Sequence, residues 1–311
     1  MRYTGTIWRP PYEAASLLLE ATAGCTHHKC KFCTLYNDLP FKFRMSPLED
    51  IESDLREAQL LSTDPISMLT VRLRGMPRPE PARRAFLVGA NPFVLKYDRL
   101  MTIADMTRRY IPSIKTIGCF ARITDITHKS DEELADLHRA GYDGLTIGME
   151  TGDDEALRFM NKGYTASDIV KQCGRLDQAG IHYSFFYLAG ISGAGRGKIG
   201  AEATAGVCNQ LRPILIGVNM LTIYPESELY QEIQRGRWNA ESEIEKYEEM
   251  RALLENLEIP AQFAALGASN AFQFQGTLPE DKKTLMAALD KIIAAGREDD
   301  LREYRRNLSH L

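Results

Sequence analysis

Three cysteines fall within nine residues in the stretch Gly24-Cys25-Thr26-His27-His28-Lys29-Cys30-Lys31-Phe32-Cys33, with four residues between the first two and two between the last two. Three thiolates can hold a 4Fe-4S cluster and leave one iron without a protein ligand, open to bind and activate another molecule. An electron carrier normally completes its set with a fourth cysteine. The competing chemistry is a closed tetrahedral zinc site built from the three cysteines with His27 or His28, although its ligands would crowd into one short loop. Purely structural thiols fit less well, because Lys29 and Lys31 make the segment polar. Cys119, Cys173 and Cys208 stand alone elsewhere, which is not the spread of a disulfide framework.

The elements that must position this stretch are readable around it. From about Ala15, short apolar runs alternate with amphipathic stretches, the pattern of parallel strands joined by crossover helices. Strands are expected at 16–23, 85–90, 114–120, 144–150, 182–190 and 214–223, each apolar enough to be buried on both faces. The cysteines follow the first strand, at the carboxyl end where parallel strands hold ligands. Ser46-Pro47-Leu48-Glu49 opens a helix through Leu61, with Ser46 as N-cap and Pro47 at the first helical position. Ser130-Asp131-Glu132-Glu133 and Thr165-Ala166-Ser167-Asp168 open two more, and Gly141 and Gly180 close them. Periodicity leaves a six-unit partial barrel and a doubly wound sheet both open. Beyond Tyr224-Pro225 the chain turns charged and mostly helical, at 226–237, 240–257, 280–295 and 298–308, with 261–276 a loop or short strand.

Several motifs in order along residues 15–225 make the chain resemble the radical S-adenosylmethionine (SAM) superfamily. In that superfamily three cysteines after the first strand hold a 4Fe-4S cluster, with an aromatic residue, here Phe32, just before the third. The spacing departs from the family's usual three residues then two, because Cys25 and Cys30 enclose four. The resemblance implies an α/β fold: a partial (β/α)6 TIM-like barrel over 1–225 and a mostly helical C-terminal accessory region over 226–311. Its cofactors would be the cluster and SAM. In Val88-Gly89-Ala90-Asn91-Pro92, Gly89 and Asn91 occupy the turn that receives the methionine amino group, where relatives often carry two glycines and an acidic or hydroxyl residue. Thr146-Ile147-Gly148-Met149-Glu150 followed by Met160-Asn161-Lys162-Gly163 resembles the fourth strand and the helix after it, with Glu150 and Lys162 on the SAM ribose, amino group or carboxylate. The resemblance also makes Arg122 a second carboxylate-clamp candidate, with a salt-bridged barrel-rim arginine as the alternative, and Tyr187 the polar candidate near the adenosine.

The implied activity is reductive cleavage of SAM to methionine and a 5′-deoxyadenosyl radical that takes hydrogen from a substrate, in an oxygen-sensitive site. The other function class is a non-catalytic Fe-S or zinc protein that keeps the scaffold as a binding or sensing module. Flavodoxin or ferredoxin is the expected electron donor, with Lys29 and Lys31 as its landing point. The charge balance, 38 Lys+Arg against 42 Asp+Glu, argues against a polyanion partner such as transfer RNA, and a small-molecule substrate is the default. No second cysteine group serves an auxiliary cluster, and the short segment before the first strand leaves no expectation of a cobalamin domain there. Relatives of this look are associated with porphyrinogen decarboxylation, but no tetrapyrrole site stands out. No apolar run reaches the length of a membrane span and the start lacks the apolar core of a signal peptide, so a cytoplasmic protein is expected. The terminal Ser309-His310-Leu311 resembles a peroxisomal tripeptide except at its middle residue. Gly190-Ile191-Ser192-Gly193-Ala194-Gly195-Arg196-Gly197-Lys198 fits no phosphate-binding register and reads as a mobile loop near the active-site mouth.

Overall fold

Every apolar run expected to form a strand does so in the computed structural model, which describes residues 1–64, 66, 69, 73, 74 and 81–308. The tripeptide Ser309-His310-Leu311 lies outside the described residues. The chain is α/β and divides into two units. The first comprises Met1–Thr26, Tyr36–Thr146 and Ala179–Ile181; the second comprises His27–Leu35, Ile147–Gln178 and His182–Leu311.

In the first unit the expected first strand divides at Ala21 into β1 (Leu17–Glu20) and β2 (Thr22–Gly24). β2 pairs antiparallel with β3 (Phe43–Met45), a three-residue strand that sequence periodicity does not reveal. β1 pairs in parallel with β4 (Arg84–Val88), and β4 with β5 (Thr116–Ala121). Leu19, Phe86, Leu87 and Ile117 of these strands are fully buried. Among the described residues the helices here are α1 (Leu48–Thr63), α2 (Tyr97–Tyr110), α3 (Ile123–Ile126) and α4 (Asp131–Arg139). α1 starts one residue later than expected. Pro47 occupies the N-cap, and the Ser46 hydroxyl goes instead to Glu20 Oε1 at 3.3 Å. α4 starts at the expected Ser130 N-cap, and a capping box between Ser130 and Glu133 satisfies two N–H groups at once. Arg84 is tied into this unit. Its guanidinium grips buried Glu13 and donates to the Asp143 and Gly144 carbonyls, each at 3.0 Å.

β6 (Leu145–Glu150) carries the chain into the second unit. There follow α5 (Asp154–Phe159), α6 (Ala166–Ala179), β7 (Tyr183–Ala189), α7 (Gly197–Cys208) and β8 (Leu215–Met220). The C-terminal part adds α8 (Glu228–Gln234), α9 (Glu243–Asn256), β9 (Ala261–Ala265), β10 (Phe274–Leu278), α10 (Lys282–Ala295) and α11 (Glu298–Arg306). β6 neighbours β7, which pairs in parallel with β8, and β8 with β9; β10 closes antiparallel on β9. Residues 226–308 are thus mostly helical, and the stretch 261–276, expected as a loop or short strand, holds both: β9, a connecting loop and most of β10. Ala261 and Phe263 point inward while Gln262 points out, the alternation of a half-buried strand.

The glycine-rich segment before α7 is a fastened turn, contrary to the mobile loop expected of it. The Gly190 N–H donates to Glu249 Oε2 at 2.5 Å, the Ala194 N–H to Asn239 O at 3.0 Å, and Arg196 pairs with Asp153 and Glu155 at 3.2 and 2.9 Å. Among the described residues no helix is long and apolar enough to cross a membrane.

Candidate functional site

In the second unit, Glu150 is the last residue of β6 and has a φ of +65°, a left-handed conformation that costs a non-glycine residue about 1–2 kcal/mol. The carboxylate folds back along its own strand. A Cβ on Gly148 would lie 2.7 Å from Glu150 Oε1, so the glycine two residues earlier on the same face clears the space. Lys162 Nζ donates to Glu150 Oε1 at 3.0 Å. The same ammonium lies 5.6 Å from the Phe32 ring centroid and 5.5 Å from that of Tyr164, two negative ring faces that favour a cation. Tyr164 Oη donates to the Gly148 carbonyl at 2.6 Å and so braces the strand end. The structure therefore brings Glu150, Lys162 and Phe32 together. It also adds Tyr164, which lay outside the expected set because nothing in its sequence context marks it.

Phe32 packs against a core of Met160, Ile191, Leu221 and Leu229, which anchors the chain one residue before Cys33. The Cys33 N–H donates to Cys30 O at 3.1 Å, a tight turn that joins these two residues. Lys31 is drawn inward over the Phe159 ring and within 3.7 Å of Glu232, so of the two expected landing lysines only Lys29 is exposed. His27 Nε2 is hydrogen bonded to the Asn161 carbonyl. Cys25 belongs to the first unit, where its N–H donates to Lys42 O at 2.9 Å. Gly24 allows that approach: its φ is +78°, and a Cβ there would stand 2.2 Å from Lys42 O.

The donor chemistry fits an iron-sulfur cluster. None of the six cysteines forms a disulfide, and Cys25, Cys30 and Cys33 are each only half-buried. Cys119, Cys173 and Cys208 are fully buried, and desolvation pushes their thiols up, that of Cys208 to about 12. Burial thereby makes the three lone thiols poor candidates for iron ligation.

In the first unit, Gly89 has a φ of +128° and no room for a side chain: a Cβ would meet Thr22 Oγ1 at 2.1 Å and Thr22 O at 2.4 Å. Asn91 is fully buried, with its amide bonded to Thr26 and Asp125. Arg122 caps α3, where its N–H donates to Asp125 Oδ2 at 2.8 Å and its guanidinium reaches Thr124 Oγ1 at 3.3 Å. Asp125 is 1% exposed, and burial pushes its carboxyl up to about 6 against the opposing pull of the Arg122 and Asn91 hydrogen bonds. Lys129 Nζ donates to Phe93 O at 2.6 Å and to Asp125 O at 3.2 Å. Neither Asp125 nor Lys129 was expected from sequence. The signal for Asp125 was its place three residues after Arg122 at a helix start.

Tyr187 turns away from the Glu150 set. Its strand neighbour Leu188 packs on the Phe32 core, and alternation along β7 sends Tyr187 to the opposite face. There its hydroxyl donates to buried Glu249 of α9. Burial raises Glu249 well above the usual carboxylate range and Glu241 to about 7.

The sequence model of the Radical SAM superfamily matches residues 19–195. Among curated proteins, the heme chaperone HemW of Bacillus subtilis (strain 168) is 24% identical over 174 residues, 55% of this chain and 45% of HemW, so the match spans under half of that relative. Among solved structures, coproporphyrinogen III oxidase (HemN) from Escherichia coli, a radical SAM enzyme, has a TM-score of 0.50 at 14% identity, covering 90% of this chain and 51% of HemN. The radical SAM methyltransferase TsrM from Kitasatospora setae, solved with cobalamin and a [4Fe-4S] cluster, has a TM-score of 0.48 at 16% identity, covering 71% of this chain and 37% of its own. The HemN likeness is one of fold, and it agrees with the partial (β/α)6 architecture expected from sequence.

Proposed function

Because the chain belongs to the radical SAM superfamily, whose cofactors are a 4Fe-4S cluster and SAM, we propose that it is an enzyme cleaving SAM reductively on a cluster held by Cys25, Cys30 and Cys33. When bound, those cofactors supply one-electron cleavage of a carbon-sulfur bond, giving methionine and a 5′-deoxyadenosyl radical that takes hydrogen from the substrate. Everything else is the work of this chain. The observation that carries the reading is the Glu150–Lys162 pair held against Phe32, the residue before Cys33. A metal staple needs no such pair, whereas a ligand with both ammonium and carboxylate groups has a partner in each of its members. Gly89 and Arg122 are the further contacts proposed for the methionine end, and Phe32 screens the pair from water.

The substrate we propose is a small molecule, and heme is the first to screen, because the curated relative is named a heme chaperone. Flavodoxin or ferredoxin would deliver the electron, with Lys29 as the exposed cation at the loop. A thiol-rich reduced loop suits the cytoplasm. The barrel core at 1–225 and accessory region at 226–311 remain the proposed functional division.

Anaerobic incubation of reconstituted protein with SAM and dithionite tests this reading. Mass spectrometry should find 5′-deoxyadenosine, and Cys30→Ala should abolish it. A colourless, zinc-loaded protein that forms none would transfer the assignment to the non-catalytic class.

A further inference from the structure

Asn91 was expected to touch the cofactor, but both N–H hydrogens of its amide are already engaged within the protein. Nδ2 donates to Thr26 Oγ1 at 2.8 Å and to both oxygens of Asp125 at 3.1 Å, and Oδ1 lies 3.4 Å from the Thr26 N–H. These contacts account for both N–H hydrogens and engage the carbonyl oxygen. The side chain is 0% exposed. Asp125, itself 1% exposed, decides which way the amide faces. An ionised carboxylate only accepts, so it keeps Nδ2 toward itself, and a flipped amide would set two oxygens against each other. The Arg122 N–H, at 2.8 Å, holds the carboxylate in that place. The chain of bonds therefore runs from the start of α3 through two buried side chains to Thr26, the residue that follows Cys25.

We propose that Asp125 and Asn91 are a positioning pair for the cysteine loop: Asp125 orients the Asn91 amide, and the amide fixes Thr26 and, through it, Cys25 before any cofactor arrives. The inference rests on the reading of Cys25 as a cluster ligand, but the fastening itself does not depend on iron. Asn91 is on this account a positioning residue and not a SAM contact.

The test compares full-length apo-protein, labelled with iodoacetamide and read by mass spectrometry at each cysteine, with the iron content of the same samples after anaerobic reconstitution. In Asp125→Asn an amide faces an amide, and Cys25 should label about threefold to tenfold faster, the range given by one lost hydrogen bond, while Cys30 and Cys33 keep their rates. Thr26→Val, which spares the buried pair, should accelerate Cys25 in the same way and covers the case in which Asp125→Asn fails to fold. The exchanged double variant Asn91→Asp with Asp125→Asn again sets a donor against an acceptor. It should bring both Cys25 labelling and iron content back toward wild type. Unchanged Cys25 labelling in Thr26→Val, or equal acceleration at all three cysteines, overturns the proposal. Wild-type protein that takes up no iron while Cys25 labelling still responds would overturn the cluster reading and leave the fastening standing.

Discussion

Lys162 Nζ lies 3.0 Å from Glu150 Oε1, and the two side chains are 5% and 15% exposed. At that burial, removing one partner strands the other. Lys162→Met should destabilise the apo-protein by about 3 kcal/mol, near the lower end for buried pairs because Glu150 keeps some water. Glu150→Gln with Lys162→Met should recover much of that stability and none of the SAM affinity. Chemical denaturation and equilibrium SAM binding on the same variants separate the two effects.

Replacement of the six cysteines one at a time sorts ligands from core thiols. Cys25→Ala, Cys30→Ala and Cys33→Ala should each lose most of the iron after reconstitution. Cys119→Ala, Cys173→Ala and Cys208→Ala should keep it, at a stability cost of about 1–2 kcal/mol for the small cavity left behind. Iron and sulfide per chain are the quantities to measure.

Gly89 and Gly174 predict opposite outcomes for the same substitution. Gly89→Ala would drive a Cβ to 2.1 Å from Thr22 Oγ1 and 2.4 Å from its carbonyl, at a φ of +128°. A loss of at least about 3 kcal/mol is expected from strain and overpacking together. Gly174 lies within α6 with nothing within 4 Å of an added Cβ, so Gly174→Ala should gain about 0.5–1 kcal/mol. Melting temperatures of the two variants check the contrast.

The Glu241 carboxyl, pushed up to about 7 by burial from an ordinary 4.5, predicts a pH dependence of stability. A carboxyl whose folded value is raised contributes stability below the unfolded value, and that contribution is lost as pH rises through the folded one. Wild-type apo-protein should therefore lose stability between about pH 4.5 and pH 7, by up to about 3 kcal/mol from this group. Glu241→Gln should flatten that slope and raise the melting temperature at pH 8 more than at pH 5. The Glu241 charge is one of the causes that raise Glu249, so the difference between the two proteins reports the carboxyl pair.

Much of the scaffold was legible because buried parallel strands leave apolar runs and helix ends leave caps. The six runs, the helix start at Ser130 and the glycines at Gly141 and Gly180, with φ of +88° and +77°, all formed as read. The break at Ala21 and the short strand at 43–45 were not legible, because three residues carry no period. The stretch holding β9 and β10 was legible only as a loop or short strand, because Gln262, Gln275 and Gly276 carry the polarity of a loop. At the site, the spacing of Glu150 and Lys162 was readable along the chain. The sidedness of Tyr187 followed from alternation with Leu188, and the Asp125 contact with Asn91 spans 34 residues, a separation no local pattern reports.

Three cysteine ligands would leave one iron open to SAM. Anaerobically reconstituted, dithionite-reduced protein should be brown and give a 4Fe-4S electron paramagnetic resonance signal whose shape changes when SAM is added. A reduced signal that SAM leaves unaltered would contradict the claim, because an iron already closed by a side chain has no place for the ligand.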